Sequence, residues 1–205
     1  MLLFNTTNED TKYTANLGYY AYSHERYAEG FFYAANTLVE NMHDKDEMIY
    51  PLFFLYRHMT ELFLKQSIQL CQVTHGREVL TERELRNTHS LKTLWEGLEQ
   101  IGAEYIRMQK TVDLVKSIVL EIDDYDQRST RFRYADTEHE STTINIQLFG
   151  DLMNEVRHFF WMITEDCSHL LGEQGRIDEL RKIGNDMRIF VNDFNIPVLD
   201  PTIKA

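Results

Sequence analysis

Cysteine, proline and glycine are all scarce in this chain of 205 residues. Its two cysteines, Cys71 and Cys167, exclude a disulfide framework and leave no room for a cysteine-rich zinc site. Three prolines and nine glycines are too few turn formers for an all-β fold. No apolar run approaches the ~20 residues that a bilayer-spanning helix needs. The densest stretch is Tyr50-Pro51-Leu52-Phe53-Phe54-Leu55-Tyr56. Residues 1–5 carry neither a basic region nor the start of a long apolar segment, which argues against a signal peptide. Basic side chains are outnumbered, 21 Lys+Arg against 33 acids, and the formal charge is −12. That balance argues against a broad basic surface for nucleic acid but leaves room for a local cluster of Arg and His. A cytoplasmic protein with no membrane association is the expectation.

What is present is a large apolar fraction: 43% hydrophobic and 12% aromatic residues, enough for a packed core. The length suits one domain. Residues 1–11 read as a mobile polar lead-in and 12–205 as a single helical domain. A first helix is expected over residues 13–43, broken by Asp44-Lys45-Asp46. A second opens around Pro51, in its first turn, where a missing N–H is tolerated. Ile49, Leu52, Phe53, Tyr56, Met59, Thr60 and Phe63 give it a helical stripe, and Leu55, Leu62 and Leu64 make it apolar on further sides, so it should be central and mostly buried. Thr81-Glu82-Arg83-Glu84 matches a capping box. Further helices are expected over residues 91–101, 111–126, from about 147, and from 174 to 194. Between them, Thr142, Ile144, Ile146 and Leu148 alternate in polarity, which suggests a strand-like segment. The sequence therefore predicts an all-α bundle of five to six helices, with one irregular loop or short hairpin near residues 128–146.

Several polar residues stand where apolar ones would cost less. Arg57, His58, Glu61 and Lys65 share a stripe of the second helix at offsets of three, four and seven. Charges on a buried helix cost several kcal/mol unless they are paired. On a solvated face, by contrast, the same i,i+4 pairs contribute only ~0.3–0.5 kcal/mol each. His89 precedes the apolar run that starts at Leu91, and its type suits either a backbone-bonding role or acid/base chemistry near neutral pH. Asp126 continues the apolar face of Val119 and Ile122 at a helix C-terminus, where an acid is disfavoured. Arg128, Arg131 and Arg133 follow as candidate compensating charges, either as a salt-bridged anchor or as part of a functional loop.

Three blocks gather these residues. They are Tyr50-Pro51-x3-Leu55-x-Arg57-His58-x2-Glu61-x3-Lys65, then Thr88-His89-Ser90-Leu91-x2-Leu94-Trp95, then Asp126-x2-Ser129-x2-Phe132-Arg133-Tyr134. Over about residues 50–135, the pattern resembles uncharacterised bacterial proteins of the HEPN-like class. The resemblance implies a compact helical bundle, usually dimeric. Many members are metal-independent ribonucleases of toxin–antitoxin or phage-defence systems, with an Arg followed by a His four to six residues later near a dimer interface. Histidine then moves a proton of the 2′-hydroxyl or the leaving group, and arginine stabilises the phosphorane charge. Two pairs fit that spacing, Arg83-x5-His89 and Arg133-x5-His139, where composition alone gives ~1.5 matches. His89 also belongs to a resembling block, so Arg83–His89 is the preferred catalytic pair, with Arg133 as the other phosphate clamp. Arg57, His58, Glu61, Lys65, Asp126, Ser129 and Tyr134 are the candidate binding residues. Homodimerisation, RNA or nucleotide binding and a protein partner are the implied interactions, and no cofactor is implied.

Two other readings remain open. A helical interaction module would use the same polar cluster as a buried network that fixes the fold. A ferritin-like di-iron bundle would use Glu40-x2-His43 and Glu155-x2-His158, with Glu61 and Glu121 as the further carboxylates. About 0.7 Glu-x2-His motifs are expected by chance, and a lone-Glu helix before the first motif is missing. No Gly-rich phosphate loop, His-Glu-x-x-His or Gly-x-Ser-x-Gly occurs.

Overall fold

The computed structural model describes residues 24–102, 109–126, 129, 143–176 and 178–179. Among these residues the helices are, in order, α1 His24–Asn41, α2 Lys45–His75, α3 Glu82–Asn87, α4 Leu91–Gly102, α5 Gln109–Tyr125 and α6 Ile146–Glu173. Among the described residues there is no strand, and the fold is an all-α bundle.

The bundle is built around α2, which packs against α1, α4 and α6. Every residue from 59 to 68 is buried, so this helix is covered on all sides, as its apolar surround predicts. Aromatic pairs tie it in. Phe63 stacks on Phe160 of α6 with ring centres 5.8 Å apart, and Phe53 stacks on Phe149 at 5.4 Å. Trp95 of α4 stacks on Phe159 at 5.7 Å, which closes the far side. Arg157 of α6 reaches α1, bonding Glu29 at 2.9 Å and lying over the Phe32 ring. The α2 helix stops at Gly76, whose φ of 64° is a left-handed value that favours glycine. Arg176 then donates to the carbonyls of Val73 and Thr74, two of the last acceptors of α2.

Local signals read as expected at Thr81. Its hydroxyl accepts the Glu84 N–H and the Glu84 carboxylate accepts the Thr81 N–H, a complete capping box that opens α3. Three expectations need correction. The α2 helix begins at Lys45, so Pro51 lies in its second turn rather than its first. The acidic first turn, Asp46 and Glu47, starts the helix before the proline is reached. Ile146 and Leu148 are helical, because Asn145 caps α6 by accepting the Leu148 N–H; their alternation with Ile144 is not a strand. The α6 helix also continues through Gly172 to Glu173, and the chain turns at Gly175, with φ 67°. The rest of the expected hairpin, at 130–142, and the expected helical residues 13–23 and 180–194 lie outside the described residues.

Candidate functional site

Where α2, α4 and the end of α5 meet, one charged network is buried. Arg57 is fully buried and uses three nitrogens on three acceptors. Its Nη1 donates to Glu61 Oε2 at 3.1 Å, its Nη2 to the His89 carbonyl at 2.7 Å, and its Nε to the Asp126 carbonyl at 3.0 Å. The Asp126 carboxylate is 3.5 Å from the same Nε. This planar fork suits Arg, because one rigid group meets acceptors from three chain segments. Arg57 from α2 therefore meets the acid at the end of α5. Arg128, Arg131 and Arg133 lie outside the described residues.

Glu61 is the hub. Its Oε1 accepts from Lys65 Nζ at 2.8 Å and lies 3.0 Å from His89 Nδ1, while Oε2 faces Arg57. Burial by itself pushes the Glu61 carboxyl up. The hydrogen bonds and charges of Lys65 and His89 outweigh it, and the net shift is downward. Glu61 is thus a buried carboxylate held ionised by its neighbours.

His89 differs from the rest. Its backbone carbonyl is locked by Arg57 and its Nδ1 lies on Glu61, but its side chain is 56% exposed. A carboxylate at Nδ1 selects the tautomer with the proton there and leaves Nε2 as the acceptor. The geometry is a carboxylate–imidazole pair on a rigid support, with the reactive edge reaching solvent.

Two further features brace this point. Asp123 is buried and accepts the Leu91 N–H at 2.6 Å and the Ser90 hydroxyl at 3.3 Å, fixing the start of α4 directly after His89. Ser129 is buried with φ 56°, a left-handed value unusual outside glycine, and its N–H donates to the Asp126 carbonyl. That turn holds the carbonyl that Arg57 grips.

The structure thus brings Arg57, Glu61, Lys65, His89, Asp126 and Ser129 together. It does not bring His58 with them. The His58 ring packs edge-on to Phe31 of α1 at 4.6 Å and parallel to Phe54 at 5.8 Å. One residue of helix rotates a side chain by roughly 100°, enough to send Arg57 and His58 to different neighbours. Arg83 is exposed on α3, and no hydrogen bond or ion pair holds its guanidinium among the described residues. Arg133, Tyr134 and His139 lie outside the described residues. Sequence reasoning missed Asp123, although it follows Ile122 and stands four residues after Val119 on a buried face.

Glu40, His43, Glu155 and His158 are all exposed, and His158 stacks on Trp161. Among the described residues, no three His, Cys, Asp or Glu side chains are grouped to hold a metal. Glu121 is exposed too, and Glu61 is engaged by Arg57, Lys65 and His89, so these residues do not assemble the di-iron constellation their spacing suggested. No helix among the described residues is long and apolar enough to cross a membrane.

In comparison with known proteins, no family model matches the chain, and no curated protein or solved structure matches it significantly.

Proposed function

We propose that this chain is a HEPN-like protein that acts on RNA or nucleotide phosphates, as a metal-independent endoribonuclease of a bacterial toxin or phage-defence type system. One observation carries the reading: His89 presents an exposed imidazole edge while a buried carboxylate, Glu61, holds its other nitrogen. That arrangement is the one a general acid/base needs, a positioned ring with a free nitrogen in reach of solvent and substrate. Arg83, exposed and unengaged one helix away, is the cation available to a phosphate. Cytoplasmic location and a homodimer belong to the same proposal. For the dimer, the exposed Tyr27 and Tyr33 of α1 offer apolar surface beyond what the bundle buries.

A ribonuclease assay in the presence of EDTA tests it, comparing wild type with His89→Ala. Cleavage by the wild type, lost in the variant at unchanged melting temperature, is the expected outcome. Cleavage by neither protein overturns the enzymatic reading. A monomer by light scattering at micromolar concentration counts against a site shared between subunits.

A second reading has its own support. Arg57 has no exposed surface, and its described contacts all go to protein acceptors, as in a network whose work is to fix the fold. Under that reading the chain is a non-catalytic helical interaction module with a protein partner, and His89→Ala lowers stability while no cleavage is seen in any variant.

A further inference from the structure

We infer that Cys71 and Cys167 are a redox couple, and that the disulfide between them is a built-in clamp of α6 onto α2. The inference is independent of what the site at His89 does.

The geometry carries it. The two sulfurs are 3.8 Å apart, in contact with each other. The chain has no other cysteine with which either could pair internally. In a disulfide the sulfurs stand about 2.05 Å apart, so closing the bond asks each of them to move by roughly 0.9 Å. The contact is also one rung of a regular seam. Phe53 stacks on Phe149, Phe63 stacks on Phe160, and Cys71 meets Cys167. At every rung the two residue numbers differ by 96 or 97. The helices therefore run side by side in the same direction and in one register, and that register brings the sulfurs together.

Burial decides when the bond can form. Neither cysteine has exposed surface, so the exchange belongs to the open chain, during folding or while α6 is lifted from α2. The oxidant is a small-molecule disulfide. The thiolate of one cysteine attacks it, one half of the oxidant leaves as a thiolate, and a mixed disulfide forms. The second cysteine then gives up its proton, its thiolate attacks the sulfur of the first, and the other half of the oxidant leaves. Both leaving thiolates take up the protons that the cysteines lost. The two protein thiols are oxidised and one small disulfide is reduced to two thiols. Docking of α6 then seals the bridge away from reductant.

The bridge also closes a loop that holds α3, α4 and α5. That restricts the open chain far more than the folded one, whose sulfurs are already in contact. The coupling is reciprocal: the factor by which the bridge favours the fold is the factor by which the fold favours the bridge.

The test refolds the reduced full chain from urea in glutathione buffers of graded oxidised-to-reduced ratio, and holds a parallel set in the same buffers in urea. Alkylation and mass measurement read the bridged fraction, as a loss of two hydrogens and of both alkylation sites. The equilibrium constant for bridging is expected to be about 100-fold or more larger in the folded chain than in urea. The bridged chain is expected to unfold at a higher urea concentration than the reduced one. An equal or smaller constant in the folded chain overturns the inference, as does capture of the folded chain as mixed disulfides alone. Cys167→Ser should unfold at the same urea concentration in reduced and oxidised buffers, and a rise in oxidised buffer there would overturn the assignment of the effect to the bridge. Should refolding fail, the native protein held in the same buffers just below its urea transition gives the same constant, because lifting of α6 is all that the exchange requires.

Discussion

Arg57 and His89 are joined through the backbone of one and the side chain of the other: Nη2 of Arg57 bonds the His89 carbonyl at 2.7 Å. The link separates two kinds of residue within one network. Arg57 is sealed and serves the fold, whereas the His89 ring reaches solvent. Removing Arg57, as in Arg57→Met, leaves Glu61 with one fewer cation and deprives two carbonyls of a donor. A loss of about 3–5 kcal/mol is expected, the range for breaking a buried ion pair. His89→Ala removes a partly exposed ring and one contact, and a loss of about 1 kcal/mol or less is expected. Urea unfolding of both variants measures the contrast. Equal losses would mean that His89 is as structural as Arg57.

Glu61 makes the same network sensitive to acid. Its folded carboxyl titrates below its ordinary 4.5, because Lys65 and His89 outweigh burial. As pH falls, the unfolded chain takes up a proton before the folded chain does. The stability due to Glu61 is therefore full above about pH 4.5 and is lost as pH falls further, through the folded pKa. Glu61→Gln strands Arg57 and Lys65, with an expected loss of about 3–5 kcal/mol at pH 7. The melting-temperature gap between wild type and Glu61→Gln should narrow from pH 7 to pH 3.5. A constant gap would show that the ionised carboxylate is not what stabilises the site.

The legibility of the site in the sequence followed the range of the forces involved. Arg57, Glu61 and Lys65 were visible because i,i+4 spacing on an otherwise apolar helix forces them onto one stripe. The capping box at Thr81 was visible because all its partners lie within four residues. His58 shares the charged run, but its neighbour across the helix seam, Phe31, decides its environment, and no local pattern carries that information. Asp123 was missed for the same reason: it joins the site through another helix, by accepting the Leu91 N–H. Pro51 misled because it marks first turns on average, whereas here the acids at 46 and 47 open the helix earlier.

Cys71 of α2 and Cys167 of α6 lie with their sulfurs 3.8 Å apart, both free and both without exposed surface. The hydrogen bond that Cys71 donates to Cys167, and then burial, push the Cys71 thiol above its ordinary value. Reaction with a thiol reagent requires the thiolate and access: Cys71 offers neither, and Cys167, whose thiol the hydrogen bond from Cys71 holds below its ordinary value, is withheld by burial alone. Labelling by a chromogenic disulfide reagent is therefore expected to be negligible in buffer and to rise with the unfolding transition in urea. Fast labelling of the native protein would place α6 in an open equilibrium with α2.

Glu25 gives the opposite pH signature from Glu61. It is buried on α1, and burial, reinforced by the negative charge of Glu29, raises its carboxyl to about 7, with Arg26 and Arg157 offsetting only part of the rise. Between pH 4.5 and 7 the unfolded chain has lost this proton while the folded chain retains it. Stability therefore falls as pH rises through that window and levels off above it. A shift of this size corresponds to a penalty of up to ~3 kcal/mol at pH 8. Glu25→Gln keeps the shape and removes the charge, so it should stabilise the protein at pH 8 and change it little at pH 4. Thermal unfolding of the two proteins at both pH values measures this. A variant less stable than wild type at pH 8 would mean that the ionised Glu25 is held by a favourable interaction in the fold, and that its burial is not a net cost there.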